Sequence, residues 1–242
     1  MDHAAALIEQ NRLLGQLVRA AEPSTPVPTC PEWTMRKLVT HVGRGDRWVA
    51  TIVRERASGY VDIRTVPDGT PPADAGGSVD WLHAGARSVL DAVESIGADT
   101  PVWTFTGQQP ASWWVRRRLH ETAVHRADAA FALDAPYDLA PDLAADGVSE
   151  WLTLLAARPA EAGPAALDDG VTLHLHATDS EGEWLVRGDG GRVTWEHGHA
   201  KGPAAVRGRA LDLLLAAVGR PAEVEVLGER TLWDTWLDRT RF

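Results

Sequence analysis

Apolar residues recur at helical spacing through residues 3–22, with Leu7, Leu14, Leu17 and Val18 on one stripe, which predicts a first helix. The run PSTPVPTCP (23–31) predicts an irregular connection stiffened by its prolines. Thr34 is a good N-cap for a second helix over about 35–57, whose apolar face carries Leu38, Val42, Val49, Ile52 and Val53. A Gly-, Pro- and Asp-rich stretch, 58–78, reads as a long loop and 81–96 as a third helix. A second loop is expected over 97–111, and then a fourth helix, capped by Ser112, to about residue 133. The prolines at 136 and 141 bracket a break before a fifth helix over 143–157.

The texture changes at ARPAEAGPAAL (157–167), which reads as a linker between two domains, 1–157 and 168–242. Beyond it VTLHLHAT alternates strictly, with Val171, Leu173 and Leu175 on one face and Thr172, His174 and His176 on the other, the pattern of a half-buried strand. EWLVRG and GRVTWEH follow, and Asp189-Gly190 between them is a hairpin signal. AAVRG, the apolar helix ALDLLLAAVG, VEVLG and a terminal helix ERTLWDTWLDR complete the order ββ(β)βαβα. That order predicts an α+β domain, one sheet covered by helices on one face. The whole chain is therefore expected to be α+β, helical in its first part and mixed in its second.

Charge and composition narrow the function. A net charge of −10 argues against a surface that tracks phosphates, so nucleic acid is not an expected partner. No apolar run approaches the ~18 residues expected of a membrane span. The opening MDHAAALIEQNRLL has no basic segment and is not read as a signal peptide. The single cysteine, Cys30, excludes an internal disulfide framework and fits a reducing cytoplasm. Cys30 is itself expected as a packed structural residue, because no catalytic partner is evident near it. Most of the 11 tryptophans, among them Trp48, Trp113, Trp151 and Trp236, fall in periodic segments and are expected in the core.

Candidate chemistry concentrates in the fourth helix. Trp114, Arg117, Glu121, His125 and Asp128 follow one 3.6-residue stripe beside Val124, Ala127 and Phe131. Buried ionisable groups are costly unless paired or metal-bound, so this stripe marks a candidate site. Glu121 and His125, at i and i+4, reach one point in space. His41, bordering the apolar face of the second helix, is a possible third ligand, with Gly45 one turn along leaving room for a ligand or a second helix beside it and Asp46 and Arg44 pointing elsewhere. Two imidazoles and a carboxylate with one open coordination position are what a catalytic zinc needs. Alone, the spacing also fits a solvated i,i+4 contact. Arg87, Arg117 and Arg220 are candidates for holding an anionic substrate or thiol, although a surface or salt-bridging role is the more ordinary reading of each. His174, His176, His197 and His199 are expected as solvated strand and turn residues, since no acidic or thiol ligand is clearly placed with them.

The segment VPTCPEWTMRKLVTHVG resembles the opening signature of the mycothiol-dependent maleylpyruvate isomerase family within the DinB-like superfamily. RRRLHETAVHRADAA with DLAADGVSEWL is similar to that family's second signature, and AAVRGRALDLLLAAVGRPAEVEV to its smaller domain. The resemblance implies a DinB-like antiparallel four-helix bundle with an extra helix, followed by a smaller sterol-carrier-like α+β domain. It implies a divalent metal, most often zinc, on His41, Glu121 and His125, and mycothiol as thiol cosubstrate. His120 points about 100° away from Glu121 and is left out. The implied activity is addition of a zinc-bound thiolate to an electrophilic small molecule, as a maleylpyruvate-type cis–trans isomerase or an S-transferase. A non-catalytic protein that binds metal or a thiol conjugate, and a DinB-type hydrolase using metal-bound water, are the alternatives. Substrate and oligomeric state are not legible in the sequence.

Overall fold

The computed structural model of the chain describes residues 1–159, 161 and 163–240. These form two compact units, Met1–Tyr137 and Asp138–Phe242.

The first unit is a bundle of α1 (His3–Ala20), α2 (Met35–Arg54), α3 (Ala75–Ile96) and α4 (Ser112–Ala132). α1 packs on α3 and α4, and α2 packs on the same two. The predicted faces are the core: Leu7, Leu14, Leu38, Val42, Val49, Ile52 and Val53 are all fully buried. Asp2, Thr34 and Asp74 cap the first three helices, each side chain accepting an N–H of the first turn. Asp74 starts α3 at Ala75, well before Trp81, because the capped turn outweighs the low helix propensity of Gly76 and Gly77. Ser112 is the first residue of α4 rather than its cap; Ala111 holds the cap position and makes no side-chain hydrogen bond.

Within the expected loop 97–111 lies an antiparallel hairpin of β1 (Pro101–Thr104) and β2 (Gly107–Pro110). Its second strand, GQQP, has no apolar alternation and left no periodic signal. Trp103 N donates to Ala57 O, and Trp114 Nε1 donates to Trp103 O, so the hairpin is tied to the chain just after α2 and to α4. Trp48 meets both Trp103 and Trp114 edge-on within this cluster. α2 and α3 approach closely at Gly43, where a Cβ would stand 2.2 Å from a ring carbon of the buried Trp81. Trp81 is fixed there by its own bond to Asp68 O and by the Arg47 guanidinium over its ring.

The second unit contains α5 (Pro141–Ala157), a five-stranded sheet, α6 (Ala210–Ala217) and α7 (Arg230–Thr240). The strands are β3 (Thr172–Ala177), β4 (Glu183–Asp189), β5 (Arg192–His197), β6 (Ala204–Gly208) and β7 (Glu225–Gly228), in the order β5-β4-β3-β6-β7. Only the β3/β6 pair is parallel. The sequence reading put α5 in the first domain and the boundary at 157–167, of which Ala160 and Ala162 lie outside the described residues. Here α5 packs on α6 and β5, and Ser149 of α5 accepts a hydrogen bond from the buried Trp184 of β4. The division falls instead at the proline-flanked break between α4 and α5. No helix among the described residues is long and apolar enough to cross a membrane.

Leu173 and Leu175 are buried as the alternation of β3 predicts. His174, expected in solvent on the opposite face, is also buried, at 5% exposure. Alternation reports which side chains share a face, but not whether anything covers that face.

Candidate metal centre

α4 explains why ionisable groups collect inside the bundle. Most of its circumference is buried, and the small residues Ala123, Ala127, Ala129 and Ala130 let neighbouring segments approach closely. Val124 and Phe131, read as core-facing, are only half-buried, whereas Arg117, Arg118, His120, His125, Arg126 and Asp128 are all buried.

His41 on α2 meets Glu121 and His125 on α4. His41 Nε2 lies 2.8 Å from Glu121 Oε1, and one ligand atom from each of the three residues lies within 4.8 Å of the other two. The two imidazoles are 4.8 Å apart between centroids and close to perpendicular. The His41 side chain is 40% exposed and that of Glu121 19%, so the cluster is open to solvent on the His41 side. His120, left out of the ligand set, is buried elsewhere on α4.

His125 is oriented from behind. Its Nδ1 donates to Asp128 Oδ2 at 2.9 Å, which leaves the Nε2 lone pair for a metal ion. Asp128, fully buried, also accepts from Thr29 Oγ1 at 2.6 Å and from Cys30 Sγ at 3.4 Å. The proline-rich connection therefore supports the site, and Cys30 has a partner that its sequence neighbourhood did not reveal. Trp33 belongs to the same support, its ring 4.9 Å from that of His41 and stacked at 5.7 Å on that of His125. The signal for Trp33 was its place just before the Thr34 cap, which fixes the entry of α2.

Glu121 is held by two arginines. Arg117 Nη2 reaches its Oε2 at 3.2 Å, the pairing open to a residue one turn away, and Arg118 Nη1 reaches its Oε1 at 3.1 Å. Burial opposes ionisation of Glu121, but the Arg118 charge, the His41 hydrogen bond and the Arg117 charge together hold its carboxyl well below the usual range. Burial lowers His125 as well, against the pull of Asp128, which favours the neutral imidazole that a metal requires.

One reading of α2 changes and another is narrowed. Asp46 does not point away: it is fully buried and accepts from Arg118 Nε at 2.7 Å, while Arg118 Nη2 donates to Val42 O. Of the ligand or second helix that Gly45 could admit, it admits the helix: a Cβ there would stand 2.8 Å from Nη1 of Arg118 on α4. Arg44 does turn aside, its Nε donating to Gly69 O. Among the candidate anion contacts, Arg87 is exposed on α3 near His83, which burial first and the Arg87 charge second hold below its ordinary value. Arg220 lies in the second unit, with Nη1 donating to Val218 O.

The donor set suits a divalent ion of the zinc type: two imidazoles and one carboxylate, no sulfur, solvent access on one side and a carboxylate behind one histidine. Asp128→Asn keeps the shape but removes the charge behind His125. Its zinc affinity is expected to fall about 10- to 100-fold, measured by competition with a chelating dye. Unchanged affinity would show that Asp128 does not tune this imidazole.

A helical bundle with a His–Glu–His cluster, followed in the chain by a five-stranded α+β unit, is a two-domain protein whose site draws on two bundle helices. Residues 4–130 match the family model described as the mycothiol maleylpyruvate isomerase N-terminal domain, and residues 142–235 match that family's C-terminal domain. The chain belongs to the mycothiol maleylpyruvate isomerase family, a family of enzymes. The crystal structure of the mycothiol-dependent maleylpyruvate isomerase is similar over 94% of this chain and 93% of that one, with a TM-score of 0.64 at 17% identity. A histidine-to-alanine mutant of that isomerase is similar over the same shares, with a TM-score of 0.63 at 15% identity. At such identities the likeness speaks for the fold. No curated protein sequence matches the chain.

Proposed function

We propose that this chain is a zinc- and mycothiol-dependent enzyme acting on an electrophilic small molecule, as a maleylpyruvate-type cis–trans isomerase. Family membership supports the reaction class, and one observation carries the site: His41, Glu121 and His125 converge from two helices on a point open to solvent. A divalent ion held there supplies positive charge that keeps a thiol as thiolate at neutral pH, and thiolate is the nucleophile.

The chain's own residues prepare that chemistry. Asp128 fixes the His125 tautomer, and Arg117 and Arg118 keep Glu121 ionised and immobile, so the donor set needs little reorganisation. The Trp33 ring lies against both imidazoles and helps to hold their orientation. In the isomerisation the thiolate sulfur adds to one carbon of the conjugated double bond, and the electron pair moves onto the neighbouring carbonyl. The resulting carbon–carbon single bond rotates. Collapse of the enolate re-forms the double bond as trans and expels the same thiolate, so neither oxidant nor net proton is needed. An S-transferase shares the first step and keeps the sulfur bound.

The test uses zinc-loaded protein with mycothiol and maleylpyruvate, following the cis-to-trans change by absorbance. Cobalt-loaded protein titrated with mycothiol provides a second readout. Mycothiol-dependent turnover and a near-ultraviolet sulfur-to-cobalt band are expected. Metal-loaded protein with neither overturns the thiol-dependent reading and favours a hydrolase.

A further inference from the structure

The second unit brings together donors that the sequence left scattered, and the geometry points to a second zinc site there, built from His174, His176, Glu183 and His199. One ligand atom from each lies within 4.8 Å of the other three. The site is structural in type, and its ion joins β3, β4 and the segment after β5.

Strand geometry accounts for the convergence. His174 and His176, two apart on β3, face the same side of the sheet. The antiparallel register sets His176 directly opposite Glu183 on β4, so the carboxylate stands on that same side. The chain leaves β5 with Gly198 N bonded to Glu183 O, and this turns His199 back over the start of β4. Its ring lies 5.1 Å from that of His174 and nearly perpendicular to it.

Two features mark the cluster as more than a polar surface. His174 is buried, yet its Nε2 has no hydrogen-bond partner among the described residues, a situation native interiors avoid unless a ligand satisfies the atom. In addition, a single oxygen, Glu183 Oε1, takes hydrogen bonds from both His176 Nδ1 and His199 Nδ1, the latter at 3.2 Å. An ion on the three imidazoles and the carboxylate satisfies the orphaned nitrogen and replaces that crowding. A tetrahedral zinc with ligands at about 2.1 Å holds them roughly 3.4 Å apart, a modest contraction of what is present. Three nitrogens and one oxygen suit zinc better than calcium or magnesium, which prefer all-oxygen shells. Four protein ligands close the shell, which is why the site is assigned to structure rather than catalysis.

The experiment is a zinc titration of chelator-stripped full-length protein, with bound ions counted by elemental analysis after gel filtration. Wild type is expected to hold two equivalents, His199→Ala one, His125→Ala one, and the double variant none. The His199 side chain is 72% exposed, so its removal leaves the fold intact. Glu183→Gln supplies an independent arm with the same expected loss. In a His125→Ala background, added zinc is expected to raise the melting temperature, and His199→Ala is expected to cancel that rise. A wild type that holds a single ion, lost in His125→Ala and kept in His199→Ala, overturns the second site and leaves the first standing. Two equivalents retained in both His199→Ala and Glu183→Gln overturn the ligand assignment.

Discussion

His125→Ala is expected to cost the protein one equivalent of zinc and to lower mycothiol-dependent turnover at least ~1000-fold, equivalent to about 4 kcal/mol of transition-state stabilisation. The size follows from how His125 is held. It is one of only three donors, it is buried, and Asp128 pins its ring. Alanine leaves two protein ligands, too few for a stable zinc site, and strips Asp128 of the N–H it accepts. His41→Ala is expected to lose the same ion, although the His41 side chain is 40% exposed and is held by its contact with Glu121 Oε1. Far-ultraviolet circular dichroism separates this from unfolding, because neither change removes a large apolar contact. If both variants kept full metal content at this centre, the ligand set would be wrong whatever the activity.

Arg118→Met is expected to destabilise the first unit by about 3–5 kcal/mol, since it leaves the Asp46 carboxylate buried without its cation. The pair is enclosed, with side-chain exposures of 4% and 0%, and Arg118 also serves Val42 O and Glu121. Asp46→Leu combined with Arg118→Met is expected to recover much of the loss, because a neutral pair has no stranded charge. A pH series supplies a second check. Burial raises the Asp46 carboxyl above its ordinary value even against the pull of Arg118, and loss of the arginine raises it further. The folded variant then binds this proton more readily than the unfolded chain, so its stability rises as pH falls through the raised range. The deficit against wild type is thus expected to shrink in acid, as read from urea unfolding at several pH values. A deficit independent of pH would sink the stranded-charge account.

The two centres differ in how far the chain betrays them. Glu121 and His125 were legible because four residues of helix place them on one face, and the family signatures carried His41 to them. Arg118 was hidden in the run RRR, where nothing local says which guanidinium meets Asp46. Asp46 was misread because α2 is flanked by both α3 and α4, so a position off its main apolar stripe is still enclosed. Asp128 was noticed on the right stripe, but its service to His125 depends on the Thr29–Cys30 loop folding over it. At the second centre, His174 and His176 were seen to share a face. Their partners are supplied by the β3–β4 register and by the turn after β5. The composition change at 157–167 is louder than the break after α4, yet it marks only a connection within the second unit, because composition signals a loop and says nothing of what packs across it.

Periodicity, capping residues and hairpin signals by themselves determined the helices of the bundle, most of the strands, the α+β order and the i,i+4 half of the first site. Each of these depends on residues a few positions apart, whose relative directions backbone geometry dictates. Only the tertiary structure decided which arginines and which aspartates lie inside, which carboxylate stands behind His125, where α5 packs and which four side chains meet at the sheet. Those outcomes depend on contacts between segments far apart in the chain, and such contacts leave no period to read.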